Sequence, residues 1–524
     1  MEFSVPPNIL YMLLTLSLTD LVAQVQLLTF TTLADTLVTM NNHTLRAHFG
    51  IDPTEASLSS MNSLITSSNT MGMLFSIFLL MPLGESKGRK YTVVYVRFLM
   101  NFCASLFQLA AALLQATEFF LIGQFLIGAQ LPLRMFITML YVMECAPDKN
   151  RGFTSTALVF SDVIAQLFMY SVASPNVFGT VNTWYIFPLL TAISGTVFFC
   201  LNLRLPDSPK WLVRQNKMDE AARAIEFYHG KDCALNDVLT SYVREKNLTV
   251  EDTISIKQVW ENDTLREALK VLLSANLFLV FDSSGVQGTY LVQLFTSAGF
   301  TVQGTMNISL ILTILLFPTK FIGTYIIDSL GRRPVMVIAG IMIYVKSWLM
   351  LVVQFILYFN GPSLATQYIY LVVEFITQCV PATGVSSIAV LFISELLPPS
   401  ARTSVAQCLL LSIMLINSPV VAMFPIISSF FAPGFFVPYI ISQTFTGIFL
   451  YRHTPETKGR AVCDIIESMD AEVASRTASI LHENTPLIRK RSTTFATKRN
   501  SILNTPRTRA LTVDHNLIPS KWNC

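Results

Sequence analysis

The sequence predicts an all-α polytopic membrane protein, with 12 transmembrane helices arranged as two pseudo-symmetric six-helix bundles. Three observations carry this expectation. Of 524 residues, 52% are hydrophobic and 13% charged, and the mean hydropathy is +0.53. An average soluble protein has roughly 25% charged residues. With 36 Lys and Arg and 33 Asp and Glu, the chain lacks the charge for a soluble surface, so lipid is the expected surroundings. A membrane-crossing helix needs about 20 mostly apolar residues, so twelve take about 240 residues. The third observation is a set of markers that recur after roughly half the chain. This composition argues against a soluble enzyme and against nucleic acid as a partner.

The apolar segments, numbered here as spans 1 to 12, cover 14–38, 61–83, 91–113, 118–143, 153–174, 183–203, 267–296, 307–328, 334–359, 367–393, 404–428 and 433–451. They divide the chain into an N-terminal six-helix bundle (1–203), a partly helical central loop (204–266), a C-terminal six-helix bundle (267–451) and a largely disordered tail (452–524). The linkers alternate. Gly84–Lys90, Ala146–Gly152, 204–266, Gly331–Arg333 and Ser394–Arg402 carry charge, and 204–266 alone holds ten Lys and Arg. The intervening linkers are poor in basic residues. By the positive-inside rule the charged set and both termini are cytosolic. Asn42-His43-Thr44 is a glycosylation sequon in the first outside linker. The N-terminus has no basic n-region, so the first apolar run is expected to stay as a helix rather than be cleaved. Eight cysteines include no CxxC pair, so no metal site is indicated and most read as small buried hydrophobes. No cofactor is expected.

The internal repeat is legible residue by residue. Gly88-Arg89-Lys90 answers to Gly331-Arg332-Arg333, an offset of 243. Glu144 and Arg151 answer to Glu395 and Arg402, both pairs seven apart. Pro206-Asp207-Ser208-Pro209-Lys210-Trp211-Leu212 answers to Pro455-Glu456-Thr457-Lys458-Gly459-Arg460. Each marker follows span 2, 4 or 6 of its own half. Duplicated bundles of this kind are the build of alternating-access transporters, whose halves rock around a midplane site.

These motifs resemble the major facilitator superfamily (MFS), and within it the sugar-porter, or facilitative glucose transporter-like, family, from about residue 30 to 460. Gly323 to Arg333 is similar to the superfamily's loop motif; the copy after span 2 has Glu85 where Asp is usual and Met81 where Gly is expected. Pro206–Leu212 resembles PESPRWL with Glu→Asp and Arg→Lys, and Pro455–Arg460 matches PETKGR. The short first outside linker sets the chain apart from the organic-ion branch. The resemblance implies an MFS fold and a cytosolic charge gate, for which the candidates are Glu85, Arg89, Lys90, Glu144, Arg151, Asp207, Lys210, Asp328, Arg332, Arg333, Glu395, Arg402 and Glu456. It implies a small polar solute as substrate, the bilayer as surroundings and a functional monomer.

The same resemblance makes the solute cavity divergent. The family's first span-5 glutamine falls on Val159, and its second is kept as Gln166. Its span-7 QQxSGxN pattern reads Phe281-Asp282-Ser283-Ser284-Gly285-Val286-Gln287. Its span-10 tryptophan falls on Val390 and its span-4 arginine on Gln124. A hexose left with unpaired hydroxyls loses roughly 1–3 kcal/mol for each. Charges within the spans are functional candidates by default, since each costs at least about 2.5 kcal/mol to embed. Arg134, Asp162, Asp282, Glu374 and Lys320 are of this kind, and two readings stay open: structural ion pairs, such as Arg134 with Asp162 or Asp282, or contacts to a charged solute or proton. Lys346 sits on span 9, expected to be peripheral, and reads as snorkelling or structurally paired. Asp35 lines up with the span-1 acid of proton-coupled sugar porters, but the arginine that would control it is Gln124. Proton coupling and a helix-end acid in a wet vestibule are both open.

The tail from Arg489 to Cys524 holds eight Lys and Arg and one acid, and it could lie on anionic lipid. Glu483, Leu487 and Ile488 fit an acidic dileucine pattern, which resembles signals read by sorting adaptors. The plasma membrane and endosomal or lysosomal membranes are the expected locations. The function classes are a secondary or facilitative transporter of a small polar solute, an organic-ion or other non-hexose transporter, and a transporter-like receptor that binds without flux. No HExxH, GxSxG or P-loop is present, so neither an enzyme nor ATP-driven pumping is indicated.

Overall fold

A computed structural model describes residues 6–147, 151–230, 234–251, 254–321, 329–383, 392–393, 395–397, 399–457 and 468. The described residues contain helices and no strand. Twelve spans are arranged as two six-helix bundles. Eight helices among the described residues are long and apolar enough to cross a membrane.

Span 1 runs from Pro7 to Thr32, beginning seven residues before the apolar run suggested. Proline at the first helical position loses no hydrogen bond there. The chain breaks at Leu33 and resumes as a second helix, Ala34–Ala47. The linker expected over 39–60 is therefore largely helical, with only the residues between Ala47 and Glu55 outside helices. Span 2, Glu55–Ser86, starts at a capping box in which Thr54 Oγ1 accepts from Ser57 N at 3.2 Å. Spans 3 to 6 are Tyr91–Leu114, Thr117–Cys145, Arg151–Val172 and Ile186–Asn202. Span 4 widens to π-helical turns at Leu133–Thr138, directly after Pro132, as expected where a ring interrupts the hydrogen-bond ladder.

Spans 2 and 4 touch backbone to backbone. A Cβ on Gly72 would lie 2.0 Å from the Phe125 carbonyl oxygen, and one on Gly128 would lie 1.9 Å from that of Asn69. Small residues allow this approach in membranes, where packing drives association. Gly128→Ala is expected to cost about 1–3 kcal/mol as overpacking; a thermal unfolding midpoint equal to that of the native chain would show that the helices can part at no cost.

Span 7 was expected as one helix over 267–296 and is three: Asp263–Val280, Ser284–Thr289 and Leu291–Ser297. Asp282-Ser283-Ser284-Gly285 supplies side-chain groups that compete with the backbone ladder. Span 8 is Val302–Leu316 with a 3₁₀ continuation to Phe321, span 9 is Arg332–Asn360 and span 10 begins as Leu364–Cys379. Spans 11 and 12 form one run, Pro399–His453, turned at Phe431 by non-helical backbone, two residues before Pro433.

The halves meet where span 2 packs on span 11, span 5 on span 8, and span 1 on the broken part of span 7. Tyr170 of span 5 joins the apolar cluster of Tyr290, Phe424 and Phe435. Between the halves, Pro209–Arg214, Met218–His229 and Leu235–Glu251 share a small core of Trp211, Ile225 and Tyr242. Ile256–Glu261 packs instead on the C-terminal bundle through Val259.

Candidate functional site: two matched gates and a cavity on the opposite face

On the face carrying the basic loops, each half builds the same small network. In the N-terminal half Arg89 is fully buried, and its Nε reaches Glu144 Oε2 at 3.2 Å. The same guanidinium donates to Glu85 at 2.8 Å and to the Gly84 carbonyl at 2.6 Å. Ser208 Oγ donates to Glu144 at 2.5 Å, and Asp207 accepts from the backbone N–H of Lys90 at 3.0 Å. The C-terminal half repeats the arginine–glutamate pair, the hydroxyl donor to that glutamate and the carboxylate on the loop N–H groups. Arg332 Nη2 lies 3.1 Å from Glu395 Oε1, Thr457 donates to Glu395, and Glu456 accepts from the Arg333 N–H at 3.1 Å. The loop glycines are required by this geometry. Gly88 and Gly331 hold φ of +112° and +99°, and a Cβ on either would meet the carboxylate of Asp207 or Glu456 at 2.2 or 3.0 Å.

Burial sets the charges here. It would lower the Arg89 pKa, but Glu144 and Glu85 outweigh it and hold the guanidinium above its ordinary value. Burial raises the Asp207 carboxyl, opposed by the backbone N–H groups of Lys90, Ser208 and Arg89, and lowers Lys90 against the attraction of Asp207. The Nε of Arg402 donates to the Leu397 carbonyl at 3.0 Å. Lys210 lies over the Tyr242 ring at 5.0 Å. Asp328 lies outside the described residues, and only the backbone of Arg151 is described. Two contacts escaped the motif reading: Trp211 Nε1 donates to the Glu85 carbonyl at 2.8 Å, and Arg214 approaches Glu85 at 3.8 Å. Of the ion pairs seen at the gates, Arg89 with Glu85 and Glu144 and Arg332 with Glu395 each join residues of one half, and Arg214 of the central loop reaches Glu85 of the N-terminal half.

The opposite face is tied across the halves. Thr31 Oγ1 donates to the Gly288 carbonyl at 3.1 Å, Thr66 shares a 2.6 Å hydrogen bond with Tyr290, and Ser174 donates to Gln303. Beside these contacts is a cavity of about 460 Å³ lined by Asp35, Glu55, Asn62, Tyr290, Gln293 and Thr296. Asp35 is exposed in it. Asn42 is half-buried within the helix Ala34–Ala47, and its sequon partner Thr44 is buried, donating to the Gln115 carbonyl at 3.2 Å.

Within the bundles the candidate charges form two acid–base pairs among the described residues. Arg134 is buried, bonds Asp162 and donates to Gln24 at 2.7 Å. Asp282 pairs with Lys346, which is fully buried and donates to Ser284 at 2.7 Å. Lys346 therefore points into its own half rather than snorkelling. Glu374 is buried and accepts from Gln378 at 3.0 Å. Gln124 packs on Asn69, and Gln287 accepts from Thr377 at 3.0 Å. Gln166 is half-buried, with its carbonyl oxygen unpaired among the described residues. The side chains of Val159 and Lys320 and all of Val390, Glu483, Leu487 and Ile488 fall outside what is described.

A further pair, Asp20 of span 1 with Arg97 of span 3 at 2.5 Å, was not among the candidates. It is the counterpart of Asp282 with Lys346, since both join the first and third helices of a half. Arg97 follows the gate Arg89 by eight residues and Lys346 follows Arg332 by fourteen. The second pair is thus set about 9 Å deeper.

A duplicated polytopic bundle with a matched gate in each half defines a transporter of the major facilitator type. A family model described as Sugar (and other) transporter matches residues 31–468, and the chain belongs to that family. Its relatives include Sugar transporter ERD6 of Arabidopsis thaliana, 24% identical over 78% of this chain and 79% of the relative. Another is the solute carrier family 2, facilitated glucose transporter member 2, of Gallus gallus, 22% identical over 77% and 75%. The fold is similar to the inward-open xylose transporter XylE from E. coli, with a TM-score of 0.64 at 16% identity over 87% of this chain and 99% of that one. These are transporters, and the chain is not an enzyme.

Proposed function

We propose that this protein moves a small, neutral, polar solute across its membrane by alternating access, through a cavity whose sugar contacts are substituted. The observation that carries this reading is the matched gate in each half, set against an opposite face tied by hydrogen bonds that cross the halves. Partly dry ion pairs are strong but breakable, so a face can switch between two packed arrangements. In this reading the cross-half hydrogen bonds close the face opposite the basic loops. Neutral solute is favoured over an organic ion because Arg134, Asp162, Asp282 and Lys346 neutralise one another in pairs. The unpaired carbonyl of Gln166 is the candidate acceptor for a solute hydroxyl.

By loop charge, the gates and both termini are cytosolic, with 1–203 and 267–451 as the rocking halves about the 204–266 loop. Glycosylation at Asn42 and adaptor capture of Glu483, Leu487 and Ile488 belong to the same topology. The test is a thermal-shift screen of hexoses, pentoses, polyols and organic ions, followed by uptake of any stabilising solute into proteoliposomes. A true ligand stabilises by mass action. A neutral polyhydroxy ligand with saturable uptake is expected. Saturable binding without flux would make the protein a receptor, and a charged ligand would overturn the neutral-solute reading.

A further inference from the structure

Outside the gates and the inter-half cavity, the C-terminal bundle carries a groove of about 710 Å³ on its outer surface, between spans 7, 9 and 12. Its length follows from its walls. It runs from Met336 to Tyr344 on span 9 and from Arg452 back to Gln443 on span 12, eight and nine helical steps, or about 12–14 Å. Its depth comes from two glycines. Gly340 and Gly447 both face Phe278 of span 7, and a Cβ on them would lie 3.7 and 3.3 Å from its ring. With no side chain at either position, the ring of Phe278 becomes the floor. Ile341 and Ile448 on the rims are exposed.

The two ends differ. At the deep end the hydroxyls of Tyr344 and Thr444 satisfy each other at 3.0 Å, and the one polar atom left without a partner there among the described residues is the buried carbonyl oxygen of Gln443. At the mouth Arg452 is exposed and has no hydrogen bond or ion pair among the described residues. Arg333 is held beside it, donating to the Tyr451 carbonyl at 3.0 Å with its guanidinium over the Tyr451 ring. Glu456, four residues past Arg452, is occupied by the backbone N–H groups of Arg332 and Arg333. The site is thus an apolar slot opening on positive charge, at the membrane face where the gates lie.

We infer that this groove binds an anionic phospholipid, with one acyl chain along Phe278, Gly340 and Gly447 and the headgroup phosphate on Arg452. Basic pockets between transmembrane helices on the cytosolic side suit acidic headgroups. The site also bears on the broken helix. Gln443, in the groove wall, donates to the Phe281 carbonyl at 2.9 Å, where span 7 is interrupted. An occupant would brace that break from the lipid side.

The test is native mass spectrometry of the purified full-length chain titrated with phosphatidylglycerol, phosphatidylcholine, a sterol or inorganic phosphate. Phosphatidylglycerol is expected to bind in preference to the others. Arg452→Gln should cut its preference over phosphatidylcholine about fivefold, the worth of one basic residue near anionic lipid. Gly340→Leu should abolish binding by filling the slot, and Gly340→Ala, whose Cβ meets Phe278 at ordinary contact distance, should retain it. Equal binding of phosphatidylglycerol and phosphatidylcholine, tighter binding of the sterol, binding of free phosphate alone, or an unchanged preference in Arg452→Gln would each overturn the inference. Retained binding in Gly340→Leu would do the same.

Discussion

Lys346→Met is expected to destabilise the protein by about 3–5 kcal/mol, the cost of stranding a buried charge. Lys346 is fully buried and pairs with Asp282, which is itself 9% exposed. Its ammonium also donates to Ser284, and Ser284 donates to Asp282 at 2.5 Å. Removing the cation leaves a carboxylate in a low-dielectric site at the interruption of span 7. Replacing both charges removes the problem, so Lys346→Met combined with Asp282→Asn should recover most of the loss. The comparison separates pair from packing, since the double variant carries the same altered span-9 side chain. Thermal unfolding in detergent measures both. A single variant within about 1 kcal/mol of the native chain, the range of exposed pairs, would show that Asp282 reaches water after all.

Arg332→Ala is expected to slow transport about tenfold, with solute binding changed less than twofold. Coupling between sites is typically worth 1–3 kcal/mol, and a tenfold change is 1.4 kcal/mol. The guanidinium contacts Glu395, while its backbone N–H is taken by Glu456 at 3.1 Å. The alanine therefore keeps the loop in place and removes the charge alone. Gln166, the candidate solute contact, lies fifteen residues into span 5 from its gate-side start at Arg151, about 22 Å along the helix, so affinity should survive. Uptake rates and thermal-shift affinities on the same preparation test this. Equal losses in rate and affinity would mean that Arg332 supports the fold rather than the switch.

The gates were legible because their chemistry is local and repeated. Gly88-Arg89-Lys90 and Gly331-Arg332-Arg333 are contiguous, and their partners Asp207 and Glu456 sit in matching short motifs. Even the requirement for glycine is visible, once the carboxylate opposite is known to press against it. The buried pairs were harder. Arg134 with Asp162 was one of two pairings left open, because helix order leaves several partners within reach. Asp20 with Arg97 passed unnoticed, since each is a single charge in an apolar run and the residues are far apart in sequence. The polar knot of Gln26, Ser105, Thr191 and Gln130 is hidden for the same reason. The break in span 7 needed a local reading: average hydropathy over 267–296 is indifferent to Asp282-Ser283-Ser284, but hydrogen bonding is not.

The most direct test of alternating access is a pair of distances between spin labels across the two faces. One pair joins Lys87 to Leu330 on the gate face, and the other joins His48 to Leu364 on the opposite face; all four positions are exposed. In the presence of a stabilising solute the account predicts reciprocal changes, the gate-face distance shortening as the opposite-face distance grows. Distances that stay fixed, or that lengthen together, would contradict it.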